Sequence, residues 1–300
     1  MPGRIDAIDK PYIAEALGER PTDVARRLRD NGLLLSAPPE AFLDATFRLP
    51  ELQAMAGNSG LKRSGRKTEV VARLVASDPS GYQAKAERSG LVVCSATAAA
   101  QVRVAMEAQR IASAAVERVA MEHLQARRFE AAAHAVVEHE ASRLLPRGLN
   151  MDWSSPATAA DLVARVKTVF GPPPAILGHV LPRELEQLRV VTGMRVLFGD
   201  FKPAWWEAGT EALGRFDAET ASRMLLARAY YVRDLVRLRD VARSVAVSGI
   251  DDFRSCPACR RMDQREFPIE AAPELPNPTC TSPIGCRCQI VSARRISSKG

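Results

Sequence analysis

The sequence predicts a mainly α protein with two small specialised stretches, and three observations predict it. Aromatic residues make up only 5% of the 300-residue chain against 46% hydrophobic residues. The apolar set is rich in Ala, Leu and Val, which favours helix bundles over β-sandwiches. Two long stretches, Ala98 to about Leu145 and Ala218 to Val247, contain neither Pro nor Gly. Finally, five of the six cysteines fall within Cys256–Cys288, which sets the C-terminal stretch apart.

A chain of this length is expected to form two or three units of about 100–200 residues each. Charged residues are 26%, an ordinary globular share that argues against wholesale disorder. The net charge of +7 is compatible with a polyanion partner, and what matters is where it clusters. No apolar run approaches the roughly 18 residues of a membrane span. The polar start, Met1 to Lys10 with Asp6 and Asp9, argues against a secretory leader. The expectation is therefore a reducing, cytoplasmic setting.

Residues 11–35 read as a short helix pair, with Val24, Leu28 and the Leu33-Leu34-Leu35 run as apolar positions. Pro38-Pro39 breaks it, and Ala41 to Phe47 reads as another short helix. Leu49, Leu52 and Met55 then line one face of a helix that Asn58-Ser59-Gly60 interrupts. Val70, Val71, Leu74 and Val75 give the next helix its apolar face, and Asp78-Pro79-Ser80-Gly81 reads as its end. Residues 82–98 read as a mixed connector, with Leu91 to Cys94 as a brief strand. Ala98 to about Leu145 is one long helix or two abutting ones, stopped by Pro146-Arg147-Gly148. Thr158 to Phe170 is helical up to Gly171-Pro172-Pro173-Pro174. Residues 175–213 are helical but punctuated, and Ala218 to Val247 is a second strong helix. Short strands are expected at Glu266–Ile269 and Gln289–Ser292, and Arg294 to Gly300 reads as a basic tail. The expected organisation is an N-terminal helical segment (1–40), a helix–loop–helix (41–80), a helical domain (98–250) and a Cys-rich segment (251–300).

Between the two short helices of residues 49–78 lies Leu61-Lys62-Arg63-Ser64-Gly65-Arg66-Lys67-Thr68-Glu69, followed by Val70-Val71-Ala72-Arg73-Leu74. Gly65 permits a turn where a side chain would clash. The next helix offers its first backbone N–H groups to an anion. Lys62, Arg63, Arg66 and Lys67 stand beside that terminus, so the loop Lys62, Arg63, Ser64, Gly65, Arg66, Lys67 is a candidate phosphate-contact patch. The pattern on Gly60, Leu61, Ser64, Gly65, Lys67, Glu69, Val70, Val71, Arg73 and Leu74 resembles the SAP family, a helix, extended loop and helix that binds DNA. The resemblance implies DNA as a partner. No residue here is an evident base reader, so weak sequence specificity is expected. The plainer alternative is a helical hairpin with a solvated basic loop.

Cys256-Pro257-Ala258-Cys259 is a CxxC knuckle that points two thiols to one side, and Cys280, Cys286 and Cys288 follow. Tetrahedral Zn²⁺ takes four N or S ligands, so five cysteines leave one over. On a strand, Cys286 and Cys288 would face opposite ways. The expected set is therefore Cys256, Cys259, Cys280 and either Cys286 or Cys288. A redox CxxC would need a thioredoxin-like βαβ setting, and disulfides an oxidising compartment. An Fe–S cluster suits the ligand type, but zinc is the simpler occupant. The segment reads as too poor in apolar residues for its own core, so the metal would supply its folding energy. No His follows His179, which argues against a catalytic zinc and against a ββα-metal nuclease with a His base. Asp251, Asp252, Asp263, Glu266 and Glu270 read as solvated carboxylates.

The wider frame is Asp252-Phe253-Arg254-Ser255 before the knuckle, then Asp263, Phe267-Pro268-Ile269, Pro273, Leu275-Pro276 and Gly285-Cys286-Arg287-Cys288. It resembles the C-terminal motif of phage minor head proteins of the Mu F type, which are mostly helical before it. That resemblance implies a head-morphogenesis role with portal or capsid partners. The sequence departs from the motif twice: Gln264 stands where the family has Gly, and the family's His before Cys-Arg-Cys is missing, with Cys280 lying where a metal ligand would be wanted.

The other chemistry-bearing residues invite plainer readings. His123, His134 and His139 do not share one helix face and read as surface histidines. Trp205-Trp206 reads as core packing. Tyr230-Tyr231 among Arg228, Arg233, Arg237, Arg239 and Arg243 reads as a solvated face because Asp234 and Asp240 interleave it. Cys94 reads as a buried thiol. No dinucleotide fingerprint, P-loop or nucleophile elbow occurs, so a non-catalytic protein is expected.

Overall fold

The computed structural model describes residues 3–4, 10–143, 146–148, 151–207, 209, 213–250 and 252–293. The chain is mainly helical with two small antiparallel sheets. It divides into two compact units, Met1–Ile111 and Ala112–Gly300. The basic tail, Asp251 and the Met1–Lys10 stretch apart from Gly3, Arg4 and Lys10 lie outside the described residues. No helix among the described residues is long and apolar enough to cross a membrane.

In the first unit, strand β1 (Gly3–Arg4) precedes α1 (Pro11–Leu17), α2 (Pro21–Asp30) and β2 (Leu34–Ser36). Then come α3 (Pro39–Thr46), α4 (Leu49–Asn58), α5 (Lys67–Ser77), α6 (Pro79–Arg88) and β3 (Leu91–Cys94). Four of these helices have Pro at the first turned position (Pro11, Pro21, Pro39 and Pro79), where the missing N–H costs nothing. Strand β3 is central, pairing with β1 (Gly3↔Val92) and β2 (Leu35↔Val93). Phe42, Leu43, Leu52, Ala56, Val70, Val71, Leu74, Tyr82 and Ala86 form the core among α3 to α6.

Two expectations about its elements fail in this unit. Asp78-Pro79 starts a helix rather than only ending one: the Asp78 carboxylate accepts the Gly81 N–H at 2.9 Å, an N-cap. The connector expected over 82–98 is thus mostly α6 and β3. The run Leu33-Leu34-Leu35, read as helical, supplies β2 instead.

Helix α7 (Ala96–Gln125) carries the chain into the second unit. There α8 (Phe129–Ala141), α9 (Pro156–Val169), α10 (Pro182–Phe198) and α11 (Ala218–Arg239) pack around Leu124, Val136, Leu162, Val166, Leu188, Met194, Leu197, Met224 and Leu225. The long Pro-free stretch from Ala98 therefore holds two helices, α7 and α8, with Arg127 at φ 54 in the turn between them. Gly193 lets α10 approach α7, because a Cβ there would meet Leu124 Cδ1 at 3.0 Å.

The helix expected to reach Val247 stops at Arg239. Residues 244–248 form strand β4 (Ser244–Ser248), with Val245, Ala246 and Val247 buried. Its β-branched residues favour a pleated, buried surface. Short helix α12 (Pro257–Met262) follows, then β5 (Glu266–Pro268) and β6 (Gln289–Ser292), both at expected positions. β4 lies between them, with Val245 opposite Phe267 and Val247 opposite Ile290. The Cys-rich segment is not coreless, as its sequence had suggested. Its five cysteines, Ile269, Leu275 and Ile290 belong to the same hydrophobic core as α8 to α11.

Candidate metal centre and basic loop

Cys256 sits at the N-cap of α12 and Cys259 in its first turn, so the Cys259 N–H reaches the Cys256 sulfur at 3.4 Å. Cys280 arrives from the loop after β5, and Cys286 and Cys288 from the chain entering β6. All five are buried. Their sulfurs form two triads, Cys256–Cys259–Cys280 and Cys259–Cys286–Cys288, each with every Sγ within 4.8 Å of the others. Cys259 belongs to both. The Cys256–Cys280 separation is 3.7 Å and the Cys259–Cys286 separation 3.9 Å. Those lengths match the roughly 3.8 Å edge of a tetrahedron of sulfurs about 2.3 Å from Zn²⁺. An all-thiol, buried donor set suits a thiophilic divalent ion.

One expectation about this set is corrected. Cys286 and Cys288 do not alternate across a strand, because β6 begins at Gln289. The irregular backbone at 286–288 brings both sulfurs to Cys259.

Without an ion, five close thiols cannot all ionise. Burial raises the Cys256 thiol, but the Cys259 and Thr281 N–H groups and the neighbouring thiols outweigh it and bring it to about 6. Hydrogen bonds from Cys259, Cys280 and Cys288 hold Cys286 low. Cys259 is pushed up because it shares protons with Cys280, Cys286 and Cys288. Cys280 and Cys288 are each lowered by Cys259 but raised further by Cys286 and burial, to about 12. A divalent ion must therefore displace protons, which makes binding pH-dependent.

Other residues brace the site. Asn277 donates its backbone N–H to Cys286 Sγ at 3.3 Å, and its Nδ2 lies 3.9 Å from Cys259 Sγ. Arg287, between two of the cysteines, forms a double ion pair with Asp252, with Nη1···Oδ2 at 2.8 Å. That pairing holds the Asp252 carboxyl well below its usual range. Asp263 accepts the Gly249 N–H at 2.7 Å. Asp252 and Asp263 are thus pins of the fold rather than merely solvated charges, whereas Glu266 and Glu270 are exposed. Asp252 and Arg287 stood in the motif frame, but nothing in the sequence marked them as a pair, and nothing marked Asn277, since the partners are 35 and 9 positions apart.

In the first unit, the basic loop runs between α4 and α5. Gly60 at φ +69 ends α4, and the Leu61 N–H reaches the Ala56 carbonyl at 2.8 Å, a common helix stop. Leu61 packs on the core. Gly65 turns at φ +129, and Arg73 holds the Ser64 carbonyl at 2.6 Å. Lys62, Arg63, Ser64, Gly65 and Arg66 are exposed. Lys67 instead pairs with Asp44, Nζ to Oδ1 at 3.1 Å. The Glu69 carboxylate accepts the Arg66 N–H at 3.1 Å, so one N–H at the α5 terminus is already satisfied.

The remaining candidates are mostly packing residues. Trp205 is buried and Trp206 packs on the same core, as expected. Tyr231 is buried, and Tyr230 accepts a hydrogen bond from Arg165 at 2.6 Å. His134 is exposed, but His139 is half-buried and lies 3.2 Å from the Ser113 hydroxyl. Cys94, expected buried, is exposed at the end of β3. The chain matches no family model, no curated protein and no solved structure.

Proposed function

We propose that this is a non-catalytic DNA-binding protein in which a SAP-like loop grips phosphates and zinc, held by the C-terminal cysteines, stabilises the second unit. What carries the reading is the helix–extended loop–helix order of α4 and α5 with Lys62, Arg63 and Arg66 exposed on the loop between them. Each phosphate neutralised on a duplex releases counterions and steepens the salt dependence of binding by about 0.9 in log–log slope. Changing Lys62, Arg63 and Arg66 together to Gln is expected to reduce that slope by about 3 and to weaken binding alike on unrelated duplexes. Fluorescence anisotropy across a salt series measures it. Unchanged affinity and slope in the triple variant would sink the reading.

A second reading, a structural protein of a phage or prophage head, has its own support. Gln264 stands where that family's motif has Gly, and its backbone is left-handed at φ 56, the conformation Gly adopts most readily. This reading expects self-association, or binding to portal or capsid proteins, that the triple Gln variant leaves unchanged. It also puts the chain in the virion rather than the cytoplasm.

A further inference from the structure

Resting on the reading of the cysteine cluster as a metal centre, we propose that it holds two thiophilic divalent ions, one in each triad, bridged by the Cys259 thiolate. The sulfurs form two triads that share a vertex, and no four of the described ones lie within 4.8 Å of one another. A single S₄ site, made by Cys256, Cys259 and Cys280 with either Cys286 or Cys288, would strand one buried thiol beside it. Two bridged ions use all five sulfurs.

The coordination count is consistent. Two tetrahedral ions have eight positions, and five thiolates with one counted twice fill six. Cys256, Cys259, Cys280 and Cys288 line a cavity of about 260 Å³, which gives water room to fill the other two positions. Ser282 also lines the cavity; it is buried, and its hydroxyl has no hydrogen-bond partner among the described residues. A water completing the coordination would find that partner.

Charge points the same way. Two divalent ions with five thiolates sum to −1, and one ion with four thiolates to −2, and the smaller buried charge costs less. Each triad also has its own N–H donor: Cys259 N to Cys256 Sγ at 3.4 Å in one, Asn277 N to Cys286 Sγ at 3.3 Å in the other. Such outer contacts orient metal ligands.

The test is the number of ions bound by the full-length, zinc-loaded chain, read by native mass spectrometry and by elemental metal-to-protein ratio. Two ions per chain are expected, falling to one in Cys280→Ser and to one in Cys288→Ser. Loading the unmutated chain with cadmium gives a readout that does not depend on the variants folding. Two cadmium resonances, both coupled to the Cys259 β-protons, are expected. One ion per chain with a single cadmium resonance would overturn the bridged pair and leave a one-metal structural site standing. No bound metal would overturn both.

Discussion

Gln264 shows how one residue can carry strain that its neighbours impose. It follows Asp263 at the end of α12, and its N–H bonds to the Val247 carbonyl at 2.7 Å, which fixes the turn into β5. At φ 56 its Cβ crowds the following carbonyl, a cost of about 1 kcal/mol for an L-residue. Gln264→Gly is therefore expected to relieve that cost against about 0.4–1 kcal/mol of added freedom of Gly in the unfolded state, for a net stabilisation of at most about 0.5 kcal/mol. Denaturant unfolding with tryptophan fluorescence checks it, and a destabilised variant would contradict this view of the turn. The cysteines were legible as candidate ligands because CxxC spacing is local. Their grouping was not, because it depends on a loop conformation and on Asn277, which nothing in the spacing reveals.

At the scale of elements, helices with both an apolar face and a clear start or stop were readable, among them α3, α4, α5 and α9. The errors fall where one residue does two jobs or where tertiary burial outweighs local pattern. Asp78-Pro79 both ends α5 and caps α6. The Pro-free stretch after Ala218 reads as continuous helix, yet Val245 and Val247 are buried in a sheet that only distant β5 and β6 complete. The end of α8 offers a test at this scale. The Glu140 carboxylate is buried and accepts from Arg143 at 3.0 Å and from the Arg147 N–H at 2.9 Å, while Arg147 also reaches the Leu197 carbonyl. Burial raises the Glu140 pKa, but the Arg147 and Arg143 contacts outweigh it and the net shift is downward. A carboxyl with a lowered folded pKa contributes stability above its unfolded value of about 4.3 and loses it as pH falls below that. The part of the stability that Glu140 contributes, read as the difference in melting temperature between the chain and Glu140→Gln, is expected to hold from pH 7 to about 5 and then to shrink. Glu140→Gln should be less stable at pH 7 and show a shallower fall, and an unaltered acid profile would contradict the role given to Glu140.

For the whole molecule, the sequence separated a small N-terminal basic module from a helical body and a Cys-rich end. It did not show that the last two share one core. The cysteines lie in that core with Leu188, Met194 and Met224, so an ion bound there is expected to stabilise the whole second unit rather than a terminal appendage. All three tryptophans, Trp153, Trp205 and Trp206, belong to this unit, and their fluorescence follows it alone. The direct measurement is the thermal melt of the purified chain by tryptophan fluorescence, before and after a strong chelator, with its metal content. A structural ion contributes several kcal/mol to folding, and each kcal/mol shifts a unit of this size by about 2–4 °C. Bound zinc and a melt lowered by at least about 10 °C on chelation are expected. A metal-free chain with an unchanged melt, and with all five thiols open to reagent in the folded state, would contradict the account.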